Sequence, residues 1–153
     1  MIFRIFDCFI LPNEGTKIGL EPMNKINKKI LIVSSLLGAI TIAIGAFGAH
    51  GLKSLVDGES LRTFETGVRY QMYHALALLA LSFSKHLPAK SLLIVFRFFI
   101  FGILCFSGSI YLLAIQEVLP FSVKYLGPVT PIGGLLFIIG WVYLAYSVYK
   151  LKD

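Results

Sequence analysis

The sequence predicts an all-α fold: a polytopic membrane protein whose four transmembrane helices form a compact bundle, with a short amphipathic helix between the first and second spans. Three observations predict it. Hydrophobic residues make up 57% of the 153 residues, and the mean hydropathy of +0.82 exceeds what the core of one soluble domain requires. The apolar residues gather in four blocks, each approaching the roughly 20 residues that a helix needs to cross a hydrocarbon core of about 30 Å. Those blocks are apolar all round, without the period-two alternation of a barrel strand, which leaves the helix as the spanning element.

Taken in order, the opening stretch Met1 to Leu11 is apolar but interrupted by Arg4 and Asp7. It is too short to span, and no small-residue cleavage site follows it. Met23, followed by Asn24-Lys25-Ile26-Asn27-Lys28-Lys29, looks the more natural start of a membrane protein. Residues 1–22 therefore read as an N-terminal accessory tail or upstream mis-start, and 23–153 as the transmembrane domain.

The first span, about 30–50, runs uncharged from Ile30 to Ala49 and closes on His50 between glycines. Its small residues Ser35, Ala39, Ala43 and Ala46 recur every three or four positions, a stripe on which a second helix approaches closely, with Gly45 and Gly48 beside it. His50 follows Ala43 by seven residues and continues that stripe, so its imidazole is expected to face the bundle or its mouth. Asp57-Gly58 reads as a turn. After it, Leu61, Phe64 and Val68 share one helical face while Arg62, Glu65 and Arg69 lie elsewhere, the pattern of an amphipathic helix on the membrane surface.

The second span, about 68–87, opens with Tyr70, Gln71 and His74 on one face. The third, about 94–116, carries the small residues Gly102, Cys105, Gly108 and Ser109, and Arg97 near its start is placed to snorkel to the headgroups. The fourth, about 130–150, begins where Thr130-Pro131 fits an N-cap followed by proline at the first helical position. Gly133, Gly134 and Gly140 then permit close helix contact.

The formal charge of +6 does not mark a nucleic-acid partner, because the basic residues flank the apolar blocks and form no basic stripe. Ten of them, from Arg4 to Lys29, from Lys85 to Arg97, and at Lys150 and Lys152, fall on one side of the four-span topology. Lys53, Arg62, Arg69 and Lys124 fall on the other, so the positive-inside rule places both termini in the cytoplasm. Cys8 in the tail and Cys105 near mid-membrane read as free thiols.

This topology gathers His50, Gln71, His74, Ser109, Tyr111 and Thr130 near the outer surface as a candidate polar cluster. Two histidines without a third ligand in the spans fall short of a zinc site, with Glu65 the only nearby carboxylate. Ser107 or Ser109 with a histidine base lacks an orienting carboxylate. No catalytic, cofactor or metal-binding residue is therefore assigned; the bland reading, histidines holding helix ends in register, outweighs the ligand readings. Transport is disfavoured by the lack of acidic residues and of repeats in the spans, although an oligomer would build a pore that one chain does not.

The run Gly45-Ala46-Phe47-Gly48-Ala49-His50-Gly51-Leu52, then Phe64-Glu65-Thr66-Gly67, Tyr70-Gln71, Tyr73-His74-Ala75-Leu76, Phe106-Ser107-Gly108-Ser109-Ile110-Tyr111 and Pro131-Ile132-Gly133-Gly134 resembles a family of small membrane proteins of unknown function. That family, domain of unknown function family 423, includes bacterial inner-membrane proteins of the YgdD type and the animal transmembrane protein 256. The resemblance runs from about Met23 to the C-terminus. It implies a four-helix integral membrane protein and carries no activity, substrate or catalytic residue. Together with the charge pattern it leads to a multi-pass protein of the bacterial cytoplasmic membrane. Its expected role is a non-enzymatic component that packs in the bilayer with itself or with partner membrane proteins.

Overall fold

The computed structural model describes residues 23–151, and the tail assigned to residues 1–22, Cys8 included, lies outside the described residues. Four long helices follow one another: α1 Lys25–His50, α2 Gly58–Ser82, α3 Ala89–Ala114 and α4 Val129–Tyr149. Short 3-10 turns lie at Leu52–Ser54, Gln116–Val118 and Lys124–Leu126. Of these segments Lys25–Ser54, Ala89–Ala114 and Lys124–Tyr149 are long and apolar enough to cross a membrane.

The helix starts follow from local chemistry. Asn24 caps α1 by accepting from the Ile26 N–H at 3.1 Å, and Asp57 caps α2 by accepting from the Ser60 N–H at 2.7 Å, each satisfying a backbone donor that the first turn leaves unpaired. Two sequence expectations shift here. The amphipathic segment and the second span are one unbroken helix, and Gly67 within it lets α3 approach. A Cβ at Gly67 would stand 2.8 Å from the Tyr111 ring. At α4 the helix begins at Val129 after Pro128, so Thr130 and Pro131 lie in its first turn. Proline is tolerated there because those N–H groups have no intrahelical acceptor.

Successive helices pack antiparallel along their lengths. Between α1 and α2 the contacts run from Gly48 against Phe64 through Thr41 with Gln71 to Asn27, whose Nδ2 donates to the Ser84 carbonyl at 2.9 Å. Between α2 and α3 they run from Gly67 on Tyr111 to His74 on Phe99. Between α3 and α4, Gly133 receives the Phe106 backbone, Gly102 the Phe137 ring and Gly140 the Phe99 ring. The main core, Ile30, Leu78, Leu92, Val95, Phe99, Ile103 and Phe137, draws on all four helices.

The inward face of α1 is not the alanine stripe. Asn27, Ser34, Thr41 and Gly48 are buried at a strict seven-residue spacing, whereas Ser35, Ala39, Ala43 and Ala46 are exposed. Ala39 and Ala43 therefore make no packing surface within the chain. Gly108 also makes no close approach, since nothing lies within 4 Å of where its Cβ would be. At Gly134 the neighbouring Phe106 ring is at ordinary contact distance, 3.8 Å.

The surface is the reverse of a soluble protein's. Ile32, Leu36, Phe101, Leu104, Ile138 and Val142 are exposed, while Ser34, Thr41, Gln71, His74, Ser82 and Ser107 are buried. Water would penalise so large an apolar surface, and lipid does not.

Candidate functional site

The six residues of the expected polar cluster divide into separate groups. The first crosses three helices. Thr41 on α1 is fully buried and donates its hydroxyl to the Leu37 carbonyl at 2.6 Å. Its oxygen then accepts from Gln71 Nε2 at 2.8 Å, and Gln71 Oε1 accepts from the Tyr111 hydroxyl at 3.0 Å. Every proton in this chain has one assignment, running from Tyr111 through Gln71 and Thr41 to a backbone carbonyl. Such a chain of aligned donors in a low-dielectric interior strengthens its own members.

The second group is His74, 5% exposed. Its Nδ1 lies 2.8 Å from the Tyr70 carbonyl, which only accepts, so Nδ1 carries the proton. Nε2 then accepts from Trp141 Nε1–H at 3.3 Å. Both ring nitrogens are engaged, and the ring stacks on Phe137 with centroids 3.5 Å apart. Phe99 meets it edge-on at 4.9 Å. The imidazole works here as a polar pin between α2 and α4 set in an aromatic surround.

Ser109 and Thr130 form the third group. Ser109 Oγ donates to the Phe106 carbonyl at 3.0 Å, which leaves Thr130 to donate to Ser109 across 2.6 Å. Thr130 thus tethers α4 to α3 and does not cap its own helix. Ser107 is buried, and its Oγ has no hydrogen-bond partner among the described residues.

His50 joins none of these groups. It is exposed at the end of α1, and among the described residues no hydrogen bond links it to Gln71 or His74. The reason is geometric: His50 does continue the alanine stripe, but that stripe faces outward. Glu65 is exposed on the first turns of α2, where its carbonyl accepts from Arg69 Nε at 3.4 Å. Among the described residues, no three of His, Cys, Asp and Glu converge as a metal site would require. Neither Ser107 nor Ser109 is hydrogen-bonded to a histidine there, so the described contacts give no activated nucleophile.

Thr41, Asn27 and Trp141 were not singled out from sequence. For the first two a signal existed: with Ser34 they recur at seven-residue spacing, Thr41 inside the apolar run and Asn27 just before it, on a face for which the bundle interior offers partners and lipid does not. Trp141 sits mid-helix and is 47% exposed. Nothing in its spacing marked it as the donor to His74.

The comparisons with known proteins follow the same outline. Residues 44–134 match the family described as Protein of unknown function (DUF423). A UPF0382 membrane protein of Haemophilus influenzae is 39% identical over 125 residues, covering 82% of this chain and 97% of its own length. UPF0382 membrane protein SSP2132 of Staphylococcus saprophyticus is 37% identical over 124 residues, covering 81% of this chain and 99% of its own. UPF0382 membrane protein YwdK of Bacillus subtilis is 34% identical over 125 residues, covering 80% and 98% respectively. No solved structure matches the chain. Apolar helices, an inverted surface and relatives aligned over nearly their whole lengths agree: the chain is a multi-pass membrane protein and belongs to the DUF423 family.

Proposed function

We propose that the protein is a non-enzymatic structural component of the bacterial cytoplasmic membrane. It crosses the bilayer four times with both termini in the cytoplasm and associates laterally with a second copy or a partner membrane protein through α1. The observation that carries this reading is that α1 has two small-residue faces. Asn27, Ser34, Thr41 and Gly48 are used within the chain, and Ser35, Ala39, Ala43 and Ala46 are exposed at helix-packing spacing. Small side chains facing outward allow another helix backbone to approach closely, which is how association is driven where lipid removes the hydrophobic effect. The polar groups support a structural role, because each hydrogen bond of Gln71, His74 and Ser109 is made to a neighbouring helix or to the residue's own helix backbone.

Cysteine cross-linking in native membranes tests it. In a background lacking Cys8 and Cys105, Ala39→Cys and Ala43→Cys are expected to give a cross-linked species, a dimer or a heteromer told apart by mass, while Leu104→Cys on the outer face of α3 gives none. Uncross-linked chain at both Ala39→Cys and Ala43→Cys, or cross-linking of Leu104→Cys as strong as theirs, would reject lateral association through α1.

A further inference from the structure

Three apolar grooves score the lipid-facing surface, and their charges differ. The groove between α1 and α2 includes Glu65 and Arg69 together, so its charges cancel. The groove on α4 at Ile138, Ile139, Val142, Tyr143 and Tyr146 has no charged residue. Between α3 and α4, Ile94, Phe98, Phe101, Cys105 and Leu136 line a cavity of about 400 Å³ in which Arg97 is the only charged residue.

Depth and charge together define what fits this third groove. From Arg97 to Cys105 the helix rises about 12 Å, close to one leaflet of a hydrocarbon core about 30 Å thick. The cation thus stands at the headgroup end of α3, and the apolar wall runs inward from it. Lys90, seven residues earlier and on nearly the same face, adds a second positive charge toward the helix start. The described carboxylates, Asp57, Glu59, Glu65 and Glu117, all belong to the opposite end of the bundle, so none of them neutralises Arg97. A guanidinium with no carboxylate partner among the described residues matches a phosphate bidentately, and an apolar channel one leaflet long matches an acyl chain.

We propose that the groove between α3 and α4 binds one anionic phospholipid, its phosphate on Arg97 and an acyl chain along Phe101, Cys105 and Leu136. A zwitterionic lipid offers the same phosphate with its own ammonium beside it, so Arg97 and Lys90 favour the lipid of net negative charge. The assignment does not depend on lateral association through α1.

Native mass spectrometry of the full chain in detergent, titrated with dioleoyl phosphatidylglycerol or dioleoyl phosphatidylcholine, tests it. The first phosphatidylglycerol is expected to bind about tenfold more tightly, the advantage of a headgroup of net negative charge beside two basic side chains. Arg97→Gln, a surface substitution, should cut that preference about threefold or more, Lys90 retaining the remainder, and Leu136→Trp, which fills the groove, should weaken both. In the unsubstituted protein, phosphatidylglycerol should slow alkylation of Cys105, read by peptide mass, and phosphatidylcholine should not. Equal affinity for the two lipids, a preference undiminished by Arg97→Gln, or a Cys105 rate indifferent to phosphatidylglycerol would each overturn the proposal.

Discussion

At the residue scale, the interior is held by a few hydrogen bonds whose directions are determined. Gln71 is the hub, because it is the one side chain that accepts from α3 and donates to α1. Gln71→Leu leaves the Tyr111 hydroxyl without its acceptor, and Tyr111→Phe leaves Gln71 Oε1 without its donor. A double-mutant cycle on the two, read by thermal unfolding in detergent, is expected to give a coupling near the average of about 0.6 kcal/mol for hydrogen bonds between membrane helices, and no more than about 1.7 kcal/mol. Additive effects would mean that the two side chains are not bonded in the folded protein. At the surface, hydrogen bonds donated by the Ser60 backbone N–H, then by its side chain, hold the Asp57 carboxyl below the ordinary aspartate range. A depressed folded value stabilises the folded state above the unfolded value, and the contribution is lost as pH falls from about 4 through the lowered value. Asp57→Asn keeps a capping oxygen and removes the titration. Melting curves collected between neutral and acid pH should therefore fall less steeply for the asparagine variant; parallel curves would show that the cap does not titrate.

At the scale of the element, each helix shows which parts of its sequence were legible. The existence of α1, α3 and α4 followed from block length alone, because a bilayer demands about 20 apolar residues whatever their order, whereas α2 was split in two by its charged first turns. Which face packs inward did not follow for α1, where alanine and polar faces compete. Alanine is indifferent between lipid and protein, whereas the hydroxyl of Thr41 and the amide of Asn27 find partners only inside the bundle or at its end. Polar residues were the stronger signal, and their seven-residue period is that of left-handed helix packing. The candidate cluster was legible only in pairs: Gln71 with Tyr111 and Ser109 with Thr130 do meet, but His50 lies on the outward face of α1 with the alanine stripe. Glycines likewise differ by what faces them. A methyl at Gly133 would press on the Phe106 backbone, with Cα only 2.7 Å away, while at Gly108 it would meet open space. Gly133→Ala must push α4 off α3 and is expected to cost about 1 to 3 kcal/mol, the usual range for overpacking. Gly108→Ala should be neutral or stabilising by up to about 1 kcal/mol through helix propensity. Thermal unfolding of the two variants checks the contrast, and equal effects would remove the close approach from the account.

For the whole molecule, the open question is how α2 lies, since its first turns carry Glu59, Arg62, Glu65 and Arg69. Those charged turns alone would suit the surface. Packing argues for crossing: α2 runs antiparallel to α1 from the Gly48 contact with Phe64 to the bond between Asn27 and the Ser84 carbonyl, near the far end of α1. Its 25 residues rise about 37 Å, enough to cross a core of about 30 Å with the charged turns projecting into the headgroups. A crossing α2 also puts Lys25, Lys28, Lys29, Lys85, Lys90 and Lys150 on one side, in agreement with the positive-inside rule. If α2 lay on the surface, Asp57 and Lys85 would share a side. Single cysteines at Asp57, Lys85 and Glu117, placed in a background lacking Cys8 and Cys105, separate the two topologies. An impermeant maleimide added to right-side-out vesicles should label the positions of Asp57 and Glu117. It should reach that of Lys85 only after permeabilisation. Labelling of Asp57 and Lys85 together would reduce the protein to three spans and place its termini on opposite sides of the membrane.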